Sequence, residues 1–168
     1  MSDLGKVFDA HMKYEFVDRD VEATMQTMAP TPYLINVPTL AGGHGSGAVR
    51  SFYERFFVGK LPKDTKVTQI SRTVGSDQVV DECILSFTHY VPLDFMLPGV
   101  PPTGKFVQLA HVVVVKFENG KIAHEHIYWD QASLLVQVGL LDARTVPAVG
   151  KEQAERLLST LPSSPTPQ

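Results

Sequence analysis

Apolar and polar positions along the chain change period several times, and each change marks an element. Leu4, Val7, Phe8, His11, Met12 and Phe16 recur at helical spacing and predict an amphipathic helix. Asp20 stands where it can cap a second helix carrying Val21, Met25 and Met28, which Pro30 stops. Residues 33–37 read as a short strand and residues 42–47 as a glycine-rich loop. A third helix follows from about Ala48, with Phe52, Tyr53, Phe56 and Phe57 as a core-directed stripe. Residues 67–74 and 78–90 alternate as two strands joined at Gly75-Ser76-Asp77. Residues 91–104, VPLDFMLPGVPPTG, hold four prolines, so they form an ordered connection that carries Phe95, Met96 and Leu97.

The longest regular stretch is residues 108–131, QLAHVVVVKFENGKIAHEHIYWDQ, which reads as a hairpin turning at Asn119-Gly120. Along its second strand Ile122, His124, His126, Tyr128 and Asp130 share one face, and Ala123, Glu125, Ile127 and Trp129 the other. A two-residue turn pairs Glu118 with Lys121. It then sets His111 opposite Tyr128 and Leu109 opposite Asp130, with Val113 and Val115 on the same face. A bulged turn would shift that cross-strand register. After Asp130 a helix carries Leu134, Leu135 and Val138 and ends at Gly139. A last helix covers residues 151–161, and the Pro/Ser-rich residues 161–168 are expected to be disordered.

Helices first and then a meander of long strands predict an α+β fold. The expected form is a cone-shaped, curved antiparallel β-sheet wrapped on the N-terminal helices and leaving a conical cavity. With 168 residues and 43% hydrophobic content, one domain is expected over residues 1–148. Residues 149–168 add a C-terminal helix and tail. The net charge is -3 and no Lys/Arg cluster interleaves with aromatics, so neither nucleic acid nor an anionic membrane is an expected partner. A small-molecule ligand fits better. The single cysteine, Cys83, excludes an internal disulfide and suits a reducing compartment. The N-terminus lacks a signal pattern and no apolar run approaches membrane-spanning length, so the expected location is cytoplasmic.

Asp130 is the leading candidate for chemistry. At a strand end among apolar neighbours its carboxyl would rise toward neutrality and serve as a general acid or base. Equally, it precedes a helix and could accept from the amide of Ala132 or Ser133 as a cap, which would make it a poor base. His126 and His111 could orient or protonate an oxygen, or be hydrogen-bonded core residues. Tyr128 could donate to a developing enolate or pack with its hydroxyl at a rim. His89 ends the preceding strand within reach of a cavity mouth. His124, His126, Asp130 and His111 could together hold a metal, because two His at i and i+2 project to one side of a strand. Glu125 and Trp129, on the opposite face, read as structural, and Glu82 as paired or solvent-facing. The glycine run has no P-loop Lys, Ser46 is not in a Gly-x-Ser-x-Gly elbow and Cys83 lies in an apolar strand, so a nucleophilic hydrolase is disfavoured.

His126-x-x-x-Asp130, the Phe117-Glu118-Asn119-Gly120-Lys121-Ile122 turn and the helix closing at Gln137-Val138-Gly139 resemble the SnoaL-like group of the nuclear transport factor 2-like (cystatin-like) superfamily. The resemblance covers about residues 4–141. In the polyketide cyclases of that group, the Asp matched by Asp130 is the acid/base residue in an intramolecular aldol closure that uses neither metal nor cofactor. The resemblance therefore implies Asp130 and His126 as catalytic residues, with His111, Tyr128, His89, Leu109 and Val113 around a small polyketide-like or aromatic carbonyl substrate. Cyclase, isomerase and dehydratase outcomes all fit, and a non-catalytic ligand-binding or dimerisation module is the rival on the same fold. His126 stands where many relatives have Trp, and residues 91–104 are an insert. Leu97-Pro98-Gly99-x-Pro101-Pro102-Thr103-Gly104 and Tyr128-Trp129-Asp130-Gln131 are similar to SnoaL-like domains that accompany dienelactone-hydrolase genes. Family members commonly pair through the outer sheet face, which implies a homodimer formed over Val112, Val114, Ile127 and Trp129.

Overall fold

Asp3 opens helix α1 (Leu4–Lys13) by accepting from the Lys6 amide, and the helix buries Leu4, Phe8 and His11 on one face. The computed structural model of the protein describes residues 3–162, so residues 163–168 of the expected tail lie outside the described residues. α1 runs on into a wider, π-type turn over Tyr14–Asp18, which Arg19 closes in the left-handed region at φ 54°. Asp20 caps α2 (Val21–Gln26), its carboxylate accepting from the Ala23 amide at 3.0 Å. Arg72 holds α1 on the sheet, bonding Asp81 through two nitrogens at 2.9 and 2.8 Å and Asp9 at 2.6 Å.

Met28, expected at the end of α2, is instead the first residue of β1 (Met28–Asn36). Pro30 and Pro32 are tolerated there because the pairing of β1 with β6 is interrupted between Met28 and Tyr33, so no ladder bond is lost. The expected glycine loop contains a short strand, β2 (Ala41–His44), antiparallel to β1. Its glycines permit close approach. A Cβ on Gly42 would stand 1.9 Å from the Leu34 carbonyl oxygen, and one on Gly43 would stand 2.6 Å from the backbone of Ala48 in α3 (Ser46–Phe52). A second π-type turn, Tyr53–Phe57, continues α3.

Strands β3 (Lys66–Val74), β4 (Gln78–Thr88), β5 (Phe106–Glu118) and β6 (Lys121–Trp129) complete a six-stranded curved sheet ordered β2-β1-β6-β5-β4-β3. Only the β1–β6 pair is parallel. The sheet is open at β2 and β3, so the cone is not closed into a barrel. Helices α4 (Gln131–Gln137) and α5 (Glu152–Leu158) pack against β5. The Gln137 amide stands in for a missing strand there, donating to the Gln108 carbonyl at 2.9 Å and accepting from its amide at 2.8 Å. Residues 91–104 are ordered by burial of Leu93, Phe95, Met96 and Leu97 and by bonds to the Phe95 and Met96 carbonyls from Thr39 and Gln131. No helix among the described residues is long and apolar enough to cross a membrane.

The β5–β6 hairpin turns as expected, with Asn119 and Gly120 at positive φ and Glu118 paired with Lys121. Phe117 then pairs with Ile122 and Lys116 with His124, which leaves Ala123 as an unpaired bulge. This one extra residue reverses the faces of the rest of β6. His111 lies opposite Trp129 and Val112 opposite Tyr128, correcting the expected pairing of His111 with Tyr128. Glu125 and Ile127 line the cavity on the concave side and Trp129 is buried beside His111, whereas His124, His126 and Tyr128 take the convex side. Ile127 and Trp129 are therefore not part of an outer patch with Val112 and Val114.

The two kinds of glycine contact predict opposite outcomes. Gly42→Ala, which meets backbone at positive φ, is expected to destabilise the fold by at least about 2 kcal/mol. Gly47→Ala, with open space around its Cβ inside α3, is expected to be neutral or stabilising by up to about 1 kcal/mol. Urea unfolding of both variants measures the contrast.

Candidate active site

Between the concave face of the sheet, α1 and the two π-type turns lies a cavity of about 590 Å³ including its mouth. Its walls are chiefly apolar, with Phe16, Phe52, Phe57 and Phe95 contributing rings. Phe95 comes from the proline-rich connection, which thus supplies one wall. Polar groups reach the cavity at few places: Glu15, Tyr53 and Glu125 together, and Asn36, Cys83 and His111 separately. An apolar pocket with a few convergent polar groups is the form of a small-molecule site.

Glu15 and Tyr53 each lie in a π-type turn, a helical irregularity often found at functional sites. With His11 from α1 and Glu125 from β6 they form a buried cluster, none of its members more than 6% exposed. His11 Nε2 is 3.1 Å from Glu15 Oε1, 3.6 Å from Glu125 Oε1 and 3.3 Å from the Tyr53 hydroxyl. The Tyr53 hydroxyl donates to Glu125 Oε2 at 2.9 Å. On the other edge of the imidazole, Nδ1 is 2.6 Å from Thr27 Oγ1. The Thr27 hydroxyl donates to the Thr24 carbonyl, also at 2.6 Å, so it must accept from His11. That network assigns a proton to Nδ1 and turns Nε2 toward the carboxylates.

Burial opposes a charge on His11, but the attraction of Glu15 and then Glu125 outweighs it and lifts the imidazole to about 10. Burial raises the Glu15 carboxyl by more than His11 lowers it. Burial also opposes ionisation of Glu125, yet the charge of His11 and the bonds from His11 and Tyr53 hold it low. The imidazolium of His11 thus balances the Glu125 carboxylate, and burial disfavours a second charge on Glu15. His111 differs: burial pushes it down to about 4 and leaves it neutral, its Nδ1 facing the Leu109 carbonyl at 3.3 Å and its ring tilted on Trp129. Burial pushes the Cys83 thiol up to about 12, so it is no nucleophile.

Of the residues singled out in the sequence, His111 and Val113 line the cavity. Asp130 is exposed and is the N-cap of α4, accepting from the Ser133 amide at 3.2 Å and from Gln153 Nε2 at 2.7 Å. The Gln153 bond, and then the Ser133 and Ala132 amides, hold its carboxyl below the usual range. His126 lies on the convex face, its ring 4.3 Å from that of His124 and 5.4 Å from that of Tyr33. Tyr128 is 43% exposed on that face, and Leu109 is buried in the core. His89 is fully buried and accepts at Nδ1 from the Thr103 amide, leaving Nε2 without a partner among the described residues. His124, His126, Asp130 and His111 are not brought together as a metal set, since the bulge separates His111 from the other two histidines. The one group among the described residues whose ligand atoms converge, all within 4.8 Å, is His11, Glu15 and Glu125.

A curved open sheet cupped on N-terminal helices around such a cavity is the fold of nuclear transport factor 2-like and ketosteroid isomerase-like proteins. The family of SnoaL-like polyketide cyclases matches residues 10–138, and the chain belongs to it. Among solved structures, TsrD from Streptomyces laurentii is similar with a TM-score of 0.66 and 17% identity, over 84% of this chain and 99% of that one. A ketosteroid isomerase-like protein from Catenulispora acidiphila, in complex with trimethylamine, has a TM-score of 0.61 and 15% identity over 81% and 94%. TerC, crystallised with polyporic acid, has a TM-score of 0.60 and 14% identity over 82% and 99%. No curated protein sequence matches the chain.

His11, Glu15, Tyr53 and Glu125 were hidden in the sequence by their company. His11 and Tyr53 fall on helical apolar stripes, and Glu125 shares with Trp129 the face of β6 read as structural. The available signal was His11-x-x-x-Glu15, an i, i+4 pair with its His on the apolar face.

His111 gives a pH prediction. Its folded value, about 4, lies below the unfolded value of 6.5, so the unfolded chain binds more protons between them and stability falls as pH drops through that window. The loss is on the order of 3 kcal/mol and levels off below pH 4. His111→Leu is expected to flatten that part of the stability–pH curve, measured by urea unfolding at successive pH values.

Proposed function

We propose that the protein is an enzyme that moves a proton α to the carbonyl of a small, largely apolar polyketide-like or aromatic compound held in the cavity. The observation that carries this reading is the convergence of two buried carboxyl groups, Glu15 raised by burial and Glu125 held low by His11 and Tyr53, at one place on an otherwise apolar wall. Glu15, the carboxyl that burial raises, takes the α-proton and passes it to the carbonyl oxygen as the enolate forms, while Glu125, which His11 and Tyr53 hold low, balances the charge of His11. His11 and Tyr53 hold Glu125 in place and in its charged form. Enolisation is the step shared by aldol cyclisation, isomerisation and dehydration next to a carbonyl. Membership of the SnoaL-like polyketide cyclase family supports the substrate class, as does the co-crystallisation of the similarly folded TerC with polyporic acid.

The experiment is α-proton exchange in D2O, followed by NMR over a panel of aromatic ketones and β-dicarbonyls. Glu15→Gln is expected to slow exchange by about 100-fold or more. Asp130→Asn is expected to leave it within about twofold, since Asn caps a helix as well as Asp does. Loss of exchange in Asp130→Asn with full activity in Glu15→Gln would return the chemistry to the end of β6. No exchange by the wild-type protein on any member of the panel would favour a ligand-binding module.

A further inference from the structure

We propose that His11, Glu15 and Glu125 form a binding site for one divalent transition-metal ion, open toward the cavity. This rests on the preceding reading only in placing substrate on the same wall, and it departs from the metal-free chemistry that the family resemblance implies.

The case is geometric. Ligand atoms around a single ion, each bonded at about 2.1 Å, stand roughly 3 to 3.5 Å from their neighbours. His11 Nε2 lies 3.1 Å from Glu15 Oε1 and 3.6 Å from Glu125 Oε1, and one atom from each of the three residues falls within a 4.8 Å set. The groups behind the ligands are also those that a metal site uses. A ligating His donates its other ring N–H to a fixed acceptor, and His11 Nδ1 does so to Thr27 Oγ1, itself anchored on the Thr24 carbonyl. A ligating carboxylate is held by its free oxygen, and Tyr53 holds Glu125 Oε2 at 2.9 Å. α1 and the π-type turn that continues it supply the i, i+4 pair, and the Ala123 bulge directs Glu125 inward from β6.

The charges agree with a divalent ion. Neutral His11 with two carboxylates balances M²⁺, giving a neutral centre in an apolar surround. One imidazole and two carboxylates suit Zn²⁺, Mn²⁺, Fe²⁺ or Co²⁺ better than Mg²⁺ or Ca²⁺, which prefer all-oxygen sets. Glu15 and Glu125 line the cavity while His11 lies behind them, so the open side of the ion would face the space where substrate sits. Such an ion would polarise the substrate carbonyl, the task that the Glu15 proton serves in its absence.

The test is titration of chelator-treated full-length protein with Zn²⁺ by calorimetry and with Co²⁺ by visible absorption, with Mg²⁺ alongside. Expected are one ion per chain at submicromolar affinity, a low-symmetry Co²⁺ spectrum and no Mg²⁺ binding. Glu15→Gln is expected to weaken Zn²⁺ by about 100-fold, and Thr27→Val, which touches no ion and leaves the cavity intact, by about 10-fold. No binding by the wild-type protein overturns the proposal. So does binding that Glu15→Gln leaves unchanged, which would place the ion on the exposed histidines of the convex face. The same samples separate the two readings: α-proton exchange without metal binding removes only the ion site, and metal binding with no exchange in either form removes only the carbonyl chemistry.

Discussion

The bulge at Ala123 is the constraint on which the site depends. Without it, a regular two-residue hairpin would turn His124, His126 and Tyr128 toward the helices and Glu125 toward solvent. The unpaired residue shifts the rest of β6 by one, so Glu125 and Ile127 line the cavity and the histidines stack around Tyr33 outside. A carboxylate buried on a concave sheet face is costly unless something compensates it. The compensation comes from α1, whose His11 meets Glu125 across the cavity wall, and from Tyr53 in the turn after α3. Fold and cluster are thus one problem: Arg72 pins α1 to β4, α1 presents His11, and His11 makes Glu125 tolerable.

A buried ionic cluster is weak evidence for stability, because well-packed apolar side chains of similar volume often serve the fold equally well. Four polar groups in this one place, beside an apolar cavity and two of them carried by π-type turns, are better explained by function. The cap at Asp130 shows the contrast. Its carboxylate is spent on the α4 amides and on Gln153, and that bonding lowers its basicity. A carboxyl group at a helix start and one at a cavity wall carry different chemistry because their partners differ.

Much of the architecture was legible because it follows from local rules. Helical spacing from Leu4 to Phe16, the cap at Asp20, the Asn119-Gly120 turn and the stop at Gly139 all involve residues close in sequence. The fold family followed from the motif around that turn and the helix after Asp130. What was not legible was non-local or turned on one residue. Nothing about Ala123 announces a bulge, yet it decides which residues of β6 face the cavity. The glycines at 42 and 43 read as a loop because their need for close approach arises only when β1 and α3 are packed against them. His11 and Glu125 are 114 positions apart, and their pairing exists only in the folded sheet. The cap reading of Asp130, by contrast, was available from its position before a helix.

A crystal structure of the protein with a phenolic mimic of an enolate tests the account most directly, because it shows where a planar oxyanion-bearing ring is held. The account predicts the ring among Phe52, Phe57 and Phe95, with its oxygen in hydrogen-bond contact with Glu15, or with an ion held by His11, Glu15 and Glu125. A mimic bound beside Asp130 or on the His124–His126 face, with the cavity left empty, would contradict it.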